Sequence, residues 1–180
     1  MRRSIRTTVS VLGLAALLFP ASGLAQQKYS YSHSTAPQSS RYIQQRVIDV
    51  DDMPGHQLRI LEVQRKYTRN HPVISGVKVV EVTVRGFSDY TNGVGPAQGY
   101  STWILEDGNK VYAQWSGTSY TTTTSTGSQQ GTYNGTTYFI GGTGEFATLR
   151  GVLTEKSEFN TDPESGYNKS SSIGEYWFAE

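Results

Sequence analysis

An all-β fold is predicted from three observations. Apolar, β-branched and aromatic residues recur with period two from Arg41 onward, turn-forming clusters separate these runs, and past the N-terminal segment no twelve-residue window shows the i, i+3, i+4, i+7 stripe of a helix. Short antiparallel connections are therefore expected.

The periodic runs fall at about 46–51, 57–66, 77–87, 98–106, 110–117, 131–140, 146–158 and 171–178, giving eight candidate strands. Met53-Pro54-Gly55, Asn70-His71-Pro72, Asn92-Gly93, the Thr-rich 121–127 run, Gly141-Gly142 and Asp162-Pro163 supply turns between them. Asp107-Gly108-Asn109, between Trp103-Ile104-Leu105 and Val111-Tyr112, predicts a type I′ hairpin whose central residues take positive φ. Eight such strands either close into a barrel or stack as a sandwich. Apolar residues on both faces of single strands, such as Tyr112 against Val111, Ala113 and Trp115, favour a barrel covered outside by a partner subunit or a terminal segment.

Ahead of the strands lies an address label. Arg2, Arg3 and Arg6, an apolar run from Val9 to Phe19 and Gly23-Leu24-Ala25 have the form of a cleavable signal peptide over residues 1–25. The run is shorter than the roughly 20 residues of a membrane span, so no span is expected after cleavage, and the protein is expected to be secreted or periplasmic. Residues 26–40 are rich in Ser, Gln and Tyr and read as a flexible leader to a barrel domain at 41–180.

Charge and composition narrow the function. The chain carries 16 Lys and Arg against 15 Asp and Glu, and removal of residues 1–25 deletes three Arg and no acid, leaving a net charge of −2. That balance argues against a nucleic-acid partner. The absence of Cys excludes a disulfide framework and a thiol nucleophile. His33, His56 and His71 have no metal-ligand spacing, so neither a metal nor a cofactor is expected. Gly141-Gly142-Thr143-Gly144 is not a dinucleotide loop, because Gly151 interrupts the helix that such a loop requires.

That glycine segment carries a likeness instead. Gly131-Thr132-Tyr133, then Tyr138 through Gly141-Gly142-Thr143-Gly144-Glu145-Phe146, then Arg150-Gly151, resembles the paired-glycine signature of the allene oxide cyclase and dirigent superfamily. The resemblance implies an eight-stranded antiparallel calycin-like barrel, with Gly141, Gly142, Gly144 and Gly151 as structural turn residues, and it implies a homotrimer. It also makes Asp49 the counterpart of a pocket carboxylate, Asp51 of an amide and Pro54 of a following proline. This chain departs from that pattern in having Asp for Glu, a second acid for the amide, an earlier proline and no pocket cysteine.

Asp49, Asp51 and Pro54 are thus the catalytic candidates. Trp103, Trp115, Phe139 and Tyr112 are the candidate lining of an apolar interior. The expected function is binding of a small hydrophobic molecule. An enzymatic form would guide a cofactor-free cyclisation or isomerisation of the allene oxide cyclase type. A carrier without turnover is the alternative, as is a surface adhesion or carbohydrate-binding module.

Overall fold

The computed structural model describes residues 26–160, 162 and 164–180. The expected signal peptide lies outside the described residues. Nine strands follow in order: β1 Lys28–Asp49, β2 His56–Lys66, β3 Val73–Ile74, β4 Val77–Thr91, β5 Val94–Leu105, β6 Lys110–Thr123, β7 Gln129–Gly142, β8 Leu149–Asn160 and β9 Tyr167–Phe178. One 3₁₀ turn, Gly144–Phe146, joins β7 to β8. Among the described residues no helix is long and apolar enough to cross a membrane.

The two-residue β3 pairs only with β4, and the other eight strands form a closed ring. From β4 to β9 each strand pairs antiparallel with the next, β9 pairs with β1 and β1 with β2. The register His56↔Thr91 through Lys66↔Glu81 then seals β2 to β4. These eight strands match the eight periodic runs one for one, because alternation of side chains between two faces is what both the sequence pattern and a barrel wall require.

Two expectations are corrected. Residues 26–40 are not a flexible leader: Lys28↔Trp177 through Thr35↔Ser170 pair β1 with β9, and from Ser40↔Arg65 onward the same strand pairs with β2. The cause of the misreading is chemical. Tyr31, His33 and Thr35 alternate inward against a partly polar interior, so period two is written in polar residues that composition reads as disorder.

The second correction concerns turn type. At the β5–β6 hairpin only Gly108 has positive φ (88°), Gly108 N donates to the Leu105 carbonyl at 3.0 Å, and Leu105 N donates to the Asn109 carbonyl at 2.9 Å. Asp107 Oδ1 accepts from Asn109 N at 2.9 Å, which holds a three-residue loop ending in a left-handed glycine. The type I′ signature sits elsewhere, at Asn92-Gly93 (φ 51° and 81°) between β4 and β5.

The lower end of the ring, where Lys28 and Phe178 lie, is filled. Ile74, Val79, Leu105, Val111, Phe146 and Leu149 are fully buried there. Phe139 lies in the same cluster and meets Trp103 edge-on at 5.3 Å and Tyr31 at 6.5 Å. The glycine signature serves this plug. A Cβ at Gly151 would stand 2.7 Å from Phe139 Cδ2, and one at Gly142 would stand 2.3 Å from the Lys110 carbonyl. Gly141 and Gly144 occupy positive φ (136° and 53°) at the β7 exit.

Deletion of residues 26–35 leaves the upper part of β1 in place but strips most of β9 of its partner on one side, leaving β8 on the other. The melting temperature is expected to fall by roughly 10 °C or more, given about 2–4 °C per kcal/mol for a chain of this size. Circular dichroism melting checks this, and an unchanged melt would return the segment to the status of a leader.

Candidate functional site

Above the plug the ring encloses a cavity of about 160 Å³. Leu61, Val63, Val82 and Val84 give it an apolar wall, and Trp103 and Trp115 add aromatic surface. Set into this wall is a polar group that a barrel core does not need: Glu155.

Glu155 belongs to β8, where Gly151, Leu153, Glu155 and Ser157 share the inward parity. It is partly buried at the border of the cavity, and Thr137 Oγ1, on β7, donates to Glu155 Oε2 at 3.4 Å. Burial pushes its carboxyl above the usual carboxylate range, while the Arg65 charge and the Thr137 hydrogen bond pull it partly back. Arg65, on β2, donates from Nη1 to Tyr67 Oη at 3.4 Å.

Burial, first, and then neighbouring charges raise the hydroxyls of Tyr31 and Tyr133 above the ordinary tyrosine range, so both stay protonated. Burial lowers His33, which favours its neutral form. The site thus holds one carboxyl of raised basicity, one guanidinium, the His33 imidazole, the Asn160 and Asn168 amides and several hydroxyl donors beside its apolar wall. That combination suits proton transfer to and from a bound molecule.

Two aromatic side chains owe their place to glycines. Gly86 pairs with Gly99 and Gly117 with Gly135 across neighbouring strands, all facing inward. A Cβ on Gly86 would lie 2.5 Å from Trp115 Cζ2, and one on Gly135 would lie 2.0 Å from Tyr133 Oη. Both rings therefore lie against the wall and leave the centre open.

The upper end is barred by Arg59 of β2. Its side chain, in a residue only 5% exposed, donates to Gln129 Oε1 at the start of β7, the strand diametrically opposite in the ring of eight. The guanidinium also stands over the Tyr90 ring at 5.7 Å.

The catalytic candidates from the sequence lie away from this cavity. Asp49 shares the inner face with Val47, the partner of Arg59, but β1 carries it past the cavity to an exposed rim, where it accepts from Gln57 Nε2 at 2.8 Å. Asp51 and Pro54 are exposed in the β1–β2 turn. None of the three lines the cavity. His56 is held by Asp89 at 2.5 Å, on the side of β2 opposite to that of Arg59.

Of the lining candidates, Trp103 and Trp115 face the cavity and Phe139 is buried beneath it in the plug. Tyr112 points outward and is 37% exposed, because Val111 and Ala113 on either side take the inward parity. Glu155 and Arg65 were missed. The signal was an acid at the parity of Gly151 and Leu153 in a strand whose other face is solvated.

A ring of eight antiparallel strands around a cavity, with the Gly141–Gly144 junction between β7 and β8, defines an eight-stranded antiparallel barrel. Among solved structures, the chain is similar to the pterocarpan synthase dirigent protein PsPTS1, at 14% identity over 87% of this chain and 97% of that one, with a TM-score of 0.42. It is also similar to the pterocarpan synthase dirigent protein GePTS1, at 12% identity over 94% and 98%, with a TM-score of 0.36. No protein-family model and no curated protein matches the chain.

An acid with a raised pKa costs stability once it ionises. That cost is absent below the ordinary carboxylate range and grows as pH rises through it toward the raised value. Glu155→Gln keeps the acceptor for Thr137 and removes the charge. It is expected to melt higher than the parent protein at pH 8 and alike at pH 4, measured by calorimetry. A difference of equal size at both pH values would show that Glu155 is not held up by burial.

Proposed function

We propose that the barrel takes one small, largely apolar molecule into its interior and guides a cofactor-free cyclisation or isomerisation of it. The observation that carries this reading is the Glu155 carboxyl at the border of the cavity, raised by burial and lacking an ion pair at contact distance among the described residues. A carboxyl of raised basicity takes a proton from a bound molecule at one atom and returns it at another more readily than an ordinary carboxylate does, so the net change is a rearrangement. Thr137 orients the carboxyl, the apolar wall fixes the ligand's shape, and Arg59 limits entry of water.

The test begins with native mass spectrometry of the purified protein, expected to show a retained small molecule released on denaturation. Returned to fresh protein, that molecule is expected to be converted. Glu155→Gln should bind it with unchanged affinity and convert it at least about 100-fold more slowly. Binding without conversion by the parent protein makes it a carrier, and conversion at the parent rate by the variant removes the acid–base role.

The same reading includes export and assembly as a homotrimer. Support for assembly comes from the outer wall, where Ile48 opposes Leu58 and Ile60 opposes Phe87, an apolar group in which Ile60 is 64% exposed. Light scattering is expected to give three times the monomer mass for the parent protein and the monomer mass for Ile60→Asp. A parent protein that elutes as a monomer would overturn the trimer.

A further inference from the structure

Six polar atoms that the barrel buries without a hydrogen-bond partner belong to side chains lining the cavity: His33 Nε2, Thr35 Oγ1, Arg65 Nε, Trp115 Nε1, Tyr133 Oη and Asn168 Oδ1. An unmet polar atom inside a protein costs more than an ordinary hydrogen bond returns, so buried groups of this kind are rare in the absence of a purpose. Here they cluster around one cavity. They differ in kind: Asn168 Oδ1 can only accept, and His33 Nε2 and Thr35 Oγ1 can act either way. The indole N–H of Trp115 and the Nε–H of Arg65 can only donate, and Tyr133 keeps its proton and can donate as well.

Two of these donors share one wall. Trp115 on β6 and Tyr133 on β7 are neighbours whose rings meet edge to face at 5.8 Å and 84°. The glycine pairs described above seat both rings, so the donors are fixed in place before anything binds. Charge restricts the partner further. Arg65 and Glu155 both line the cavity, and a carboxylate entering beside Arg65 would exchange its hydration for a wall that is largely valine, leucine and aromatic rings. Size gives the last limit. An apolar cavity of about 150 Å³ accepts benzene, and the present cavity is about 160 Å³, so it has room for one ring with short substituents.

We propose that the occupant is a neutral ring compound bearing a carbonyl oxygen, which accepts hydrogen bonds from Trp115 Nε1 and Tyr133 Oη. This rests on the reading of the barrel interior as a ligand site. The hydrocarbon ring lies against Val82, Val84 and Trp103, and the carbonyl satisfies the donor wall. A hydrocarbon of the same shape fills the space and leaves both donors unmet. A carboxylate brings acceptors together with a charge that loses its hydration on entry.

The test uses three probes of one shape, acetophenone, ethylbenzene and benzoate, titrated into the ¹⁵N-labelled protein at pH 7.5. Acetophenone is expected to bind about tenfold more tightly than ethylbenzene, with benzoate weakest. It is also expected to shift the indole N–H resonance that Trp115→Phe removes. Tyr133→Phe and Trp115→Phe each delete one donor and keep an aromatic ring. Both should bring acetophenone toward the affinity of ethylbenzene and leave ethylbenzene itself unchanged. Equal binding of acetophenone and ethylbenzene to the parent protein would overturn the carbonyl assignment while leaving the cavity a ligand site, and so would benzoate binding most tightly. Failure of all three probes to bind would overturn the ligand-site reading and this assignment with it.

Discussion

Closure of the ring by β2 against β4 is the constraint on which everything else depends. Eleven consecutive residues of β2 are matched to β4, which leaves none of the eight long strands with a free edge. Once the ring is shut, every position in a strand is committed to inside or outside, and a shift of one residue would exchange the two sets. Strand β1 makes closure possible by serving two neighbours, β9 along its first half and β2 along its second, with register irregularities between Thr35 and Gln38 and between Tyr42 and Gln44. Irregularities of this kind let a strand bend around a barrel corner.

A closed wall leaves an interior to fill, and this chain fills it unevenly. The lower end is a dry plug in which Phe139, Phe146 and Leu149 are almost wholly buried. Higher up, inward positions alternate between very small and very large residues. Gly86, Gly99, Gly117 and Gly135 remove side chains from the wall, and Trp115 and Tyr133 lie over the space so made. The same volume filled by Leu and Val would make a more stable barrel with no cavity, since close packing is the stabilising choice. The open interior, with its unmet donors and partly buried acid, is stability given up in a region where function has use for it.

What the sequence disclosed follows from the same geometry. Strand number and order were legible because period two is the direct signature of a two-faced wall, and the positive-φ glycines at the β7 exit were legible as punctuation. The first half of β1 was not, since Tyr31, His33 and Thr35 face a polar part of the interior and their alternation carries no hydropathy contrast. Asp49 drew attention because it stands near a strand end beside two other acids, yet a strand end in a barrel is a rim, and the rim is wet. Glu155 was legible in principle from parity alone. The parity of β8 had to be anchored by Gly151 and Leu153 before an acid two residues further on stood out, and that anchor comes from pairing with β7 and β9, which are distant in sequence.

The acids of this protein show why position outranks residue type. Asp107 sits on an exposed turn, and its carboxyl is held below the usual range by hydrogen bonds from the Asn109 side chain and backbone. Asp162 is likewise held down, first by the Ser165 backbone N–H and then by its hydroxyl. Both are fixed as anions by groups that point at them, and in that state they brace loops. Glu155 has only Thr137 and a neighbouring guanidinium to set against loss of solvent, and the balance tips the other way. An acid that the protein works to ionise is part of the scaffold, because removing its charge would release the loop. Glu155 braces no loop and is raised by burial at the border of the cavity, so among these three carboxyls it alone stands where a molecule in the cavity would meet it.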